Sequence, residues 1–167
     1  MRAELEAIGL PADLVQIIPA PVTKELTEEL MRAADLVVVT GSQDNVRRAA
    51  MSGTPSIGVG VGNVPVIIDD TADLADAARK ICASKIFDNS TSCSSENSVV
   101  IVDSVYDAAI TALKDAGAYL CSASEKAAVQ STLWQGGKLN RHLIARDAVT
   151  LAQAFGLPTE AQSAKFF

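Results

Sequence analysis

Cys93 is the residue whose surroundings most strongly favour chemistry. It lies in a run of small polar residues, 90–95, between a charged, alanine-rich helical pattern and the apolar run 99–102. Structural cysteines are usually enclosed by large apolar side chains, whereas short polar neighbours leave room for a ligand and expose backbone N–H groups. We therefore take Cys93 as the candidate nucleophile.

The remaining thiols and the single histidine offer less. Cys82 falls on the apolar stripe of a predicted helix and is interpreted as a packed core thiol. Cys121 precedes another predicted helix, has no charged neighbour in sequence and is interpreted as structural. The three cysteines form no CxxC pair, so neither a disulfide framework nor a thiolate metal site is predicted. His142 would have to serve any Cys-His or Ser-His dyad alone, which disfavours that chemistry.

Two glycine-containing loops are the other candidates. Gly41 and Ser42 directly follow an apolar run and open a helical pattern, as in a turn that meets a ligand at a helix start. The stretch 58–62 carries glycine at alternate positions, which indicates a backbone that passes close to something bulky. It lacks the GxGxxG spacing of a dinucleotide fingerprint. Cofactor contact and a structural crossover therefore remain equally open for this stretch.

The elements that must position these residues alternate between strand and helix. Continuous apolar runs predict strands buried on both faces of a parallel sheet, and the alternation predicts a three-layer, Rossmann-like α/β fold. Strands are predicted at 14–18, 35–40, 54–59, 65–70 and 98–103, and helices at 3–9, 23–33, 43–51, 70–85, 104–116, 122–134 and 140–155. Because ligands bind outside the carboxyl ends of such strands, the loops 19–22, 40–42 and 58–60 are expected to face one crevice.

Composition excludes several classes of function. The chain has 167 residues, of which 49% are hydrophobic, so it can bury a core. No apolar segment approaches the ~18 residues that a spanning helix needs, and the N-terminus has no secretory apolar core, so a cytoplasmic protein without membrane association is expected. The net charge is −6, and no basic cluster exists beyond Arg47 and Arg48, which argues against nucleic-acid binding.

In this order the segments resemble the aldehyde dehydrogenase superfamily, and in particular its CoA-acylating branch of acetaldehyde and sulfoacetaldehyde dehydrogenases. The resemblance covers nearly the whole chain and is carried by VVVTGS at 37–42, GTPSIGVGVGNVPVIID at 53–69, SKIFDN at 84–89 with Cys93, and VDSVYD at 102–107. It implies that residues 1–62 are the second half of a nucleotide-binding domain. Residues 63–167 are then the first half of the cysteine-bearing catalytic domain.

The resemblance also implies roles for individual residues. Cys93 is the nucleophile that forms a thioester, and its backbone N–H donates to the developing oxyanion. The stretch Thr40, Gly41 and Ser42 meets the pyrophosphate of NAD or NADP, and Val59 and Gly60 back the nicotinamide. The implied substrate is a small aldehyde, with coenzyme A as co-substrate, and the full-length protein is expected to be a homo-oligomer.

Two departures from the family pattern matter. Hydrolytic members carry a water-activating glutamate where this chain has Val59, so a thioester on Cys93 is expected to wait for a thiol. Val46 replaces a glycine of the cofactor helix. Family members are much longer, so we expect a truncated chain that is not an active dehydrogenase by itself. A fragment of a hydrolytic aldehyde dehydrogenase and a non-catalytic α/β binding module remain as alternatives.

Overall fold

The computed structural model describes residues 1–167 as two compact units, Met1–Val61 and Gly62–Phe167. Each contains a pair of parallel strands joined by a helix. The helices are α1 (Arg2–Ala7), α2 (Lys24–Ala33), α3 (Gln43–Met51), α4 (Leu74–Ile86), α5 (Tyr106–Asp115), α6 (Ala123–Leu133) and α7 (Ala148–Phe155). The strands are β1 (Val37–Thr40), β2 (Ser56–Val59), β3 (Pro65–Ile68), β4 (Ser98–Ile101), β5 (Trp134–Gln135) and β6 (Lys138–Leu139).

The first unit is built on β1, α3 and β2. The two strands are parallel, and Thr40 is the register partner of Val59, so their carboxyl ends lie side by side. The N–H of Gly41 continues this pairing by donating to the Val59 carbonyl at 3.2 Å. A small core holds α2 and α3 against β1 and consists of Met31, Val37, Val39 and Ala49.

The second unit repeats the arrangement with β3, α4 and β4. Pro65 is the register partner of Ser98, and Ile68 of Ile101. The core beside this pair joins β3, α4 and α5 through Ile68, Ile81 and Ala109. A further core lies among α6, α7 and the 3₁₀ turn Thr159–Ser163, with Ala152, Phe155, Leu157 and Ala161 at its centre. The antiparallel strands β5 and β6 form a short hairpin.

These two parallel strand–helix–strand arrangements confirm the predicted α/β class with parallel sheets. The predicted burial of the strands on both faces is wrong, because the residues of β1 alternate between buried and exposed and every residue of β2 is exposed. Helix starts in the structure are held by capping residues, whose side-chain oxygens accept hydrogen bonds from the first helical turn. Thr23 caps α2 and Ser42 caps α3, with N–H to oxygen distances of 3.1 and 3.2 Å. No helix in the chain combines the length and apolarity that a membrane crossing requires.

The predicted strand at 14–18 is wrong. This segment is irregular, and Ile17 is 82% exposed. A strand exists only when its backbone groups pair with a neighbour. The segment pairs with neither parallel sheet, and Pro19 follows it directly.

The predicted helix at 140–155 is correct only in its second half. Asn140 caps the 3₁₀ turn Arg141–Leu143, and Ala145 then adopts a left-handed conformation with φ of 58°. Asp147 caps a new helix, α7, which ends at Phe155 with Gly156 as its C-cap. The helix was predicted across this break because the pattern of apolar and polar residues does not reveal that one residue has a left-handed backbone.

Gly58 is required by its packing against α3. A Cβ atom at this position would lie 2.6 Å from Cγ1 of Val46, and the β-branched valine has little rotamer freedom in a helix. We predict that Gly58→Ala lowers the free energy of unfolding by about 1–3 kcal/mol through overpacking. Denaturant titration of Gly58→Ala, Val46→Ala and the double variant measures the effect. Strictly additive losses in the double variant would contradict this contact.

Candidate active site

Cys93 lies on a tight turn directly before β4. The N–H of Ser95 donates to the Ser92 carbonyl at 3.0 Å and closes the turn around the cysteine. Within it, the N–H of Ser94 donates to Oγ of Ser92 at 3.4 Å, and the two serine hydroxyls lie 2.9 Å apart. The thiol is exposed to solvent. The turn therefore holds an exposed cysteine between two small polar neighbours.

The backbone N–H of Cys93 has no acceptor in the protein, whereas those of Ser94 and Ser95 are bonded inside the turn. Cys93 thus carries both groups that are needed for nucleophilic attack on a carbonyl, a thiol and an unpaired N–H. The sulfur bonds to the carbon, and the N–H can donate to the oxygen as it gains charge.

The segment before β3 runs beside the cysteine turn. A Cβ atom on Gly62 would lie 2.9 Å from the carbonyl oxygen of Cys93, so only glycine fits without a shift of the turn. Val64 and Asn97 join the two segments through two hydrogen bonds. The Val64 N–H donates to Oδ1 of Asn97 at 3.0 Å, and the Asn97 N–H donates to the Val64 carbonyl at 3.1 Å.

The approach to the cysteine turn has an uncommon backbone. Asp88, Asn89 and Ser90 have φ values of 49°, 49° and 60°, in the left-handed region that few residues other than glycine enter. The Asn89 amide donates to the carbonyl of Ala145 at 3.2 Å, and the Ser90 hydroxyl donates to the carbonyl of Lys85. Such conformations persist only where the surrounding contacts hold them.

The other two thiols are placed as predicted. Cys82 is buried. Cys121 is half-buried and packs at the edge of the core around α6 and α7. Burial raises the pKa of the Cys121 thiol, and the charge of Glu125 raises it further. Neither thiol combines exposure with a free backbone donor in a tight turn, as Cys93 does.

The candidate cofactor residues occupy the carboxyl ends of β1 and β2 in the first unit. Gly41 has φ of 108°, and no atom lies within 4 Å of the place where its Cβ would be. Ser42 caps α3, and the N–H groups of Gln43 and Asp44 have no acceptor in the protein. The structure thus brings Thr40, Gly41 and Ser42 next to Val59, whose carbonyl accepts from Gly41.

An acidic residue in the first turn of α3 is compensated by cations. Asp44 pairs with Arg48 at 2.9 Å and lies 3.7 Å from Lys24. The hydrogen bond from Arg48 is the largest cause of the lowered pKa of Asp44. The open space at Gly41, the two free N–H groups and this compensation fit a bound phosphate group.

The alternating glycines separate into two groups with different neighbours. Gly58 and Gly60 lie against the side chains of Val46 and Gln43 at the start of α3. Gly62 lies against the cysteine turn. The spacing of the glycines indicated that the backbone passes close to other atoms, but not to which ones. Gly62 and Asn97 were therefore not predicted as supports of Cys93. Asn97 gave no signal at all, because its contact joins residues 33 positions apart.

No group of three or more His, Cys, Asp or Glu side chains in the chain is arranged to hold a metal ion. The candidate site consists of one exposed cysteine, its turn and the segment at Gly62. The open space at Gly41 is a separate feature of the first unit.

Comparison with known proteins identifies the class. Residues 2–132 match the aldehyde dehydrogenase family, and this chain belongs to that family. It is 55% identical over 157 residues to the acylating sulfoacetaldehyde dehydrogenase of Cupriavidus necator, covering 94% of this chain and 32% of that protein. The chain therefore spans about a third of the length of the sulfoacetaldehyde dehydrogenases that it matches.

Two solved structures show the same similarity. An acetylating aldehyde dehydrogenase from Geobacillus thermoglucosidasius matches with a TM-score of 0.88 and 34% identity, over 98% of this chain and 36% of that one. The propionaldehyde dehydrogenase of Rhodopseudomonas palustris, solved with bound CoA and an acylated cysteine, matches with a TM-score of 0.85 and 28% identity, over 99% of this chain and 38% of that one.

Selective alkylation tests the accessibility of Cys93. We predict that iodoacetamide at neutral pH modifies the folded chain once, at Cys93, because Cys82 is buried and Cys121 is half-buried with a raised pKa. Peptide mass spectrometry locates the adduct. Cys93→Ser should remove it, and urea should expose all three thiols. Faster modification of Cys121 than of Cys93 would contradict the prediction.

Gly62 should be intolerant of any side chain. Gly62→Ala places Cβ against the Cys93 carbonyl, a backbone atom that cannot rotate away, so we expect a loss of about 1–3 kcal/mol in the free energy of unfolding. The alkylation rate of Cys93 should change as well, because the turn has to move. Val61→Ala is the matched control, since that neighbouring side chain is 74% exposed. Equal alkylation rates in both variants would refute the close approach.

Proposed function

We propose that this chain carries the nucleophile of a CoA-acylating aldehyde dehydrogenase. The reaction converts an aldehyde, CoA and NAD(P)⁺ into an acyl-CoA and NAD(P)H. The observation that carries the proposal is the exposed Cys93 thiol on a tight turn beside its own unpaired N–H. The 55% identity to an acylating sulfoacetaldehyde dehydrogenase supports the same activity.

Cys93 begins the proposed reaction as a thiolate. Its sulfur forms a bond to the aldehyde carbon, and the carbonyl electron pair moves onto the oxygen, where the Cys93 N–H donates. Ser92 and Ser94 are small enough to let the aldehyde reach the sulfur. NAD or NADP, when bound, supplies the acceptor for the hydride that the substrate carbon must lose.

A thioester on Cys93 then transfers its acyl group to CoA. The CoA sulfur forms a bond to the acyl carbon, the bond from that carbon to Cys93 breaks, and the cysteine leaves as a thiolate while the CoA thiol gives up its proton. Transfer to the CoA thiol requires that water hydrolyse the Cys93 thioester more slowly than CoA attacks it. Val59 supports this outcome, because it has no carboxylate with which to activate water.

The first unit would hold the dinucleotide. Thr40, Gly41 and Ser42 are the proposed pyrophosphate contacts, with the free N–H groups at the start of α3 as donors. Val59 and Gly60 are the proposed nicotinamide contacts. The division into a nucleotide-binding part at 1–62 and a catalytic part at 63–167 belongs to this proposal.

The proposed substrate is a small aldehyde. Sulfoacetaldehyde is the first candidate, because the relative with 55% identity acts on it. Homo-oligomerisation of a full-length protein and a cytoplasmic location stay predictions of the sequence. Because the relatives are about three times as long as this chain, the complete reaction is proposed for the whole enzyme.

The acyl-transfer half of the reaction provides the test, since it needs no nicotinamide. Run in reverse, the thiolate of Cys93 attacks acetyl-CoA, and CoA leaves as its thiolate. We predict that acetyl-CoA acetylates the folded chain at Cys93 alone, as measured by peptide mass spectrometry. We also predict that the adduct persists in buffer and is lost when free CoA is added. Cys93→Ser is the control.

Each alternative has its own outcome. An acetyl adduct that water removes as fast without CoA as with it would favour a hydrolytic aldehyde dehydrogenase. A Cys93 that is alkylated by iodoacetamide but never acetylated would favour a non-catalytic binding module. Either result contradicts the acylating function.

A further inference from the structure

Lys85, in the last turn of α4, contacts the chain on both sides of the cysteine turn. Its ammonium donates to the carbonyl of Glu96 at 2.8 Å, just after the turn. Its own carbonyl accepts from the hydroxyl of Ser90, just before the turn. We infer that Lys85 is a positioning residue for Cys93, which fixes both ends of the loop that carries the thiol.

The environment of Lys85 shows why a cation is needed there. The side chain is half-buried, and burial lowers the pKa of the ammonium, while the Glu96 charge raises it. One carboxylate oxygen of Glu96 is buried without a hydrogen-bond partner. A buried charge is costly unless an opposite charge compensates it. An apolar side chain at position 85 would leave the Glu96 carbonyl without its donor and would remove a favourable charge near the Glu96 carboxylate.

The carbonyl of Lys85 has a separate role. It belongs to the last turn of α4, where backbone carbonyls have no helical partner. The Ser90 hydroxyl satisfies it, and Ser90 is the third consecutive residue with a left-handed backbone. Such residues cost about 1–3 kcal/mol each and relax unless contacts hold them. Lys85 and the Ser90 hydroxyl therefore stabilise this loop together with the hydrogen bond from Asn89 to Ala145.

The geometry of the loop matters more for acylation of Cys93 than for its alkylation. Acylation of Cys93 needs both the sulfur and the Cys93 N–H in place, because negative charge develops on the carbonyl oxygen. Alkylation by iodoacetamide needs only the sulfur. Loosening the loop should thus slow acylation more than alkylation. This readout rests on the proposed function, and general destabilisation would not separate the two rates.

The experiment compares four variants of the full chain. Lys85→Met removes the charge and donor, Lys85→Arg keeps both, and Ser90→Ala removes the second contact. Lys80→Met is the matched control on the same helix, since Lys80 is 69% exposed and makes only a surface ion pair with Asp76. Acylation is followed with p-nitrophenyl acetate, which releases p-nitrophenolate as the bond from sulfur to the acetyl carbon forms.

The expected quantity is the ratio of the acylation rate to the alkylation rate. It should fall about tenfold or more in Lys85→Met, since misplacing a reacting group or an oxyanion donor has effects of that order. Lys85→Arg should recover most of the loss, Ser90→Ala should lower the ratio in the same direction, and Lys80→Met should leave it unchanged. An unchanged ratio in Lys85→Met overturns the inference.

Amide hydrogen exchange separates this inference from the proposed function. In Lys85→Met the amides of Ser95 and Asn97 should lose protection, while that of the buried Ala109 in α5 should not. A parent chain that is alkylated but never acylated contradicts the proposed function, and the exchange pattern alone then decides the role of Lys85. Loss of protection at Ala109 to the same extent shows a merely structural lysine and overturns the inference.

Discussion

The pair of hydrogen bonds between Val64 and Asn97 sets the geometry on which the candidate site depends. Pro65, the first residue of β3, has no N–H to give to a ladder, so the pairing of β3 with β4 has to be secured one residue earlier. The Asn97 side chain and backbone do this by bonding both polar groups of Val64. With the two segments held in register, Gly62 comes to lie against the carbonyl of Cys93. Backbone packing at Gly62 thus supports the cysteine turn in addition to the contacts of the Lys85 and Asn97 side chains.

The two units use the same strand–helix–strand arrangement in opposite ways. In the first, the candidate residues follow the strands, at the carboxyl ends of β1 and β2. In the second, Cys93 precedes β4 and lies at the amino ends of the parallel pair. The general rule for ligands in parallel sheets therefore locates Gly41 and Ser42 but not the cysteine. What locates Cys93 is its setting of small polar residues.

Most elements could be predicted from local chemistry. The starts of α2 and α3 can be predicted because Thr23 and Ser42 each cap an N–H only three residues away. The apolar strands can be predicted because each is a continuous run of neighbouring apolar residues. The failures involve non-local contacts. The segment 14–18 has strand composition without a partner, and the support of Cys93 by Asn97 spans 33 positions. The left-handed backbone at Asp88 and Asn89 was also missed, since both types tolerate that conformation without requiring it.

The contact between Gly58 and Val46 restricts how the sequence can change over evolutionary time. While valine occupies position 46, any side chain at position 58 meets its Cγ1 atom. If position 46 first becomes small, position 58 is released, but the first step leaves a cavity beside the Val39 side chain that also borders Gly58. Positions 46 and 58 should therefore change together. A smaller residue at position 46, in α3, has to come before any side chain at position 58, in β2.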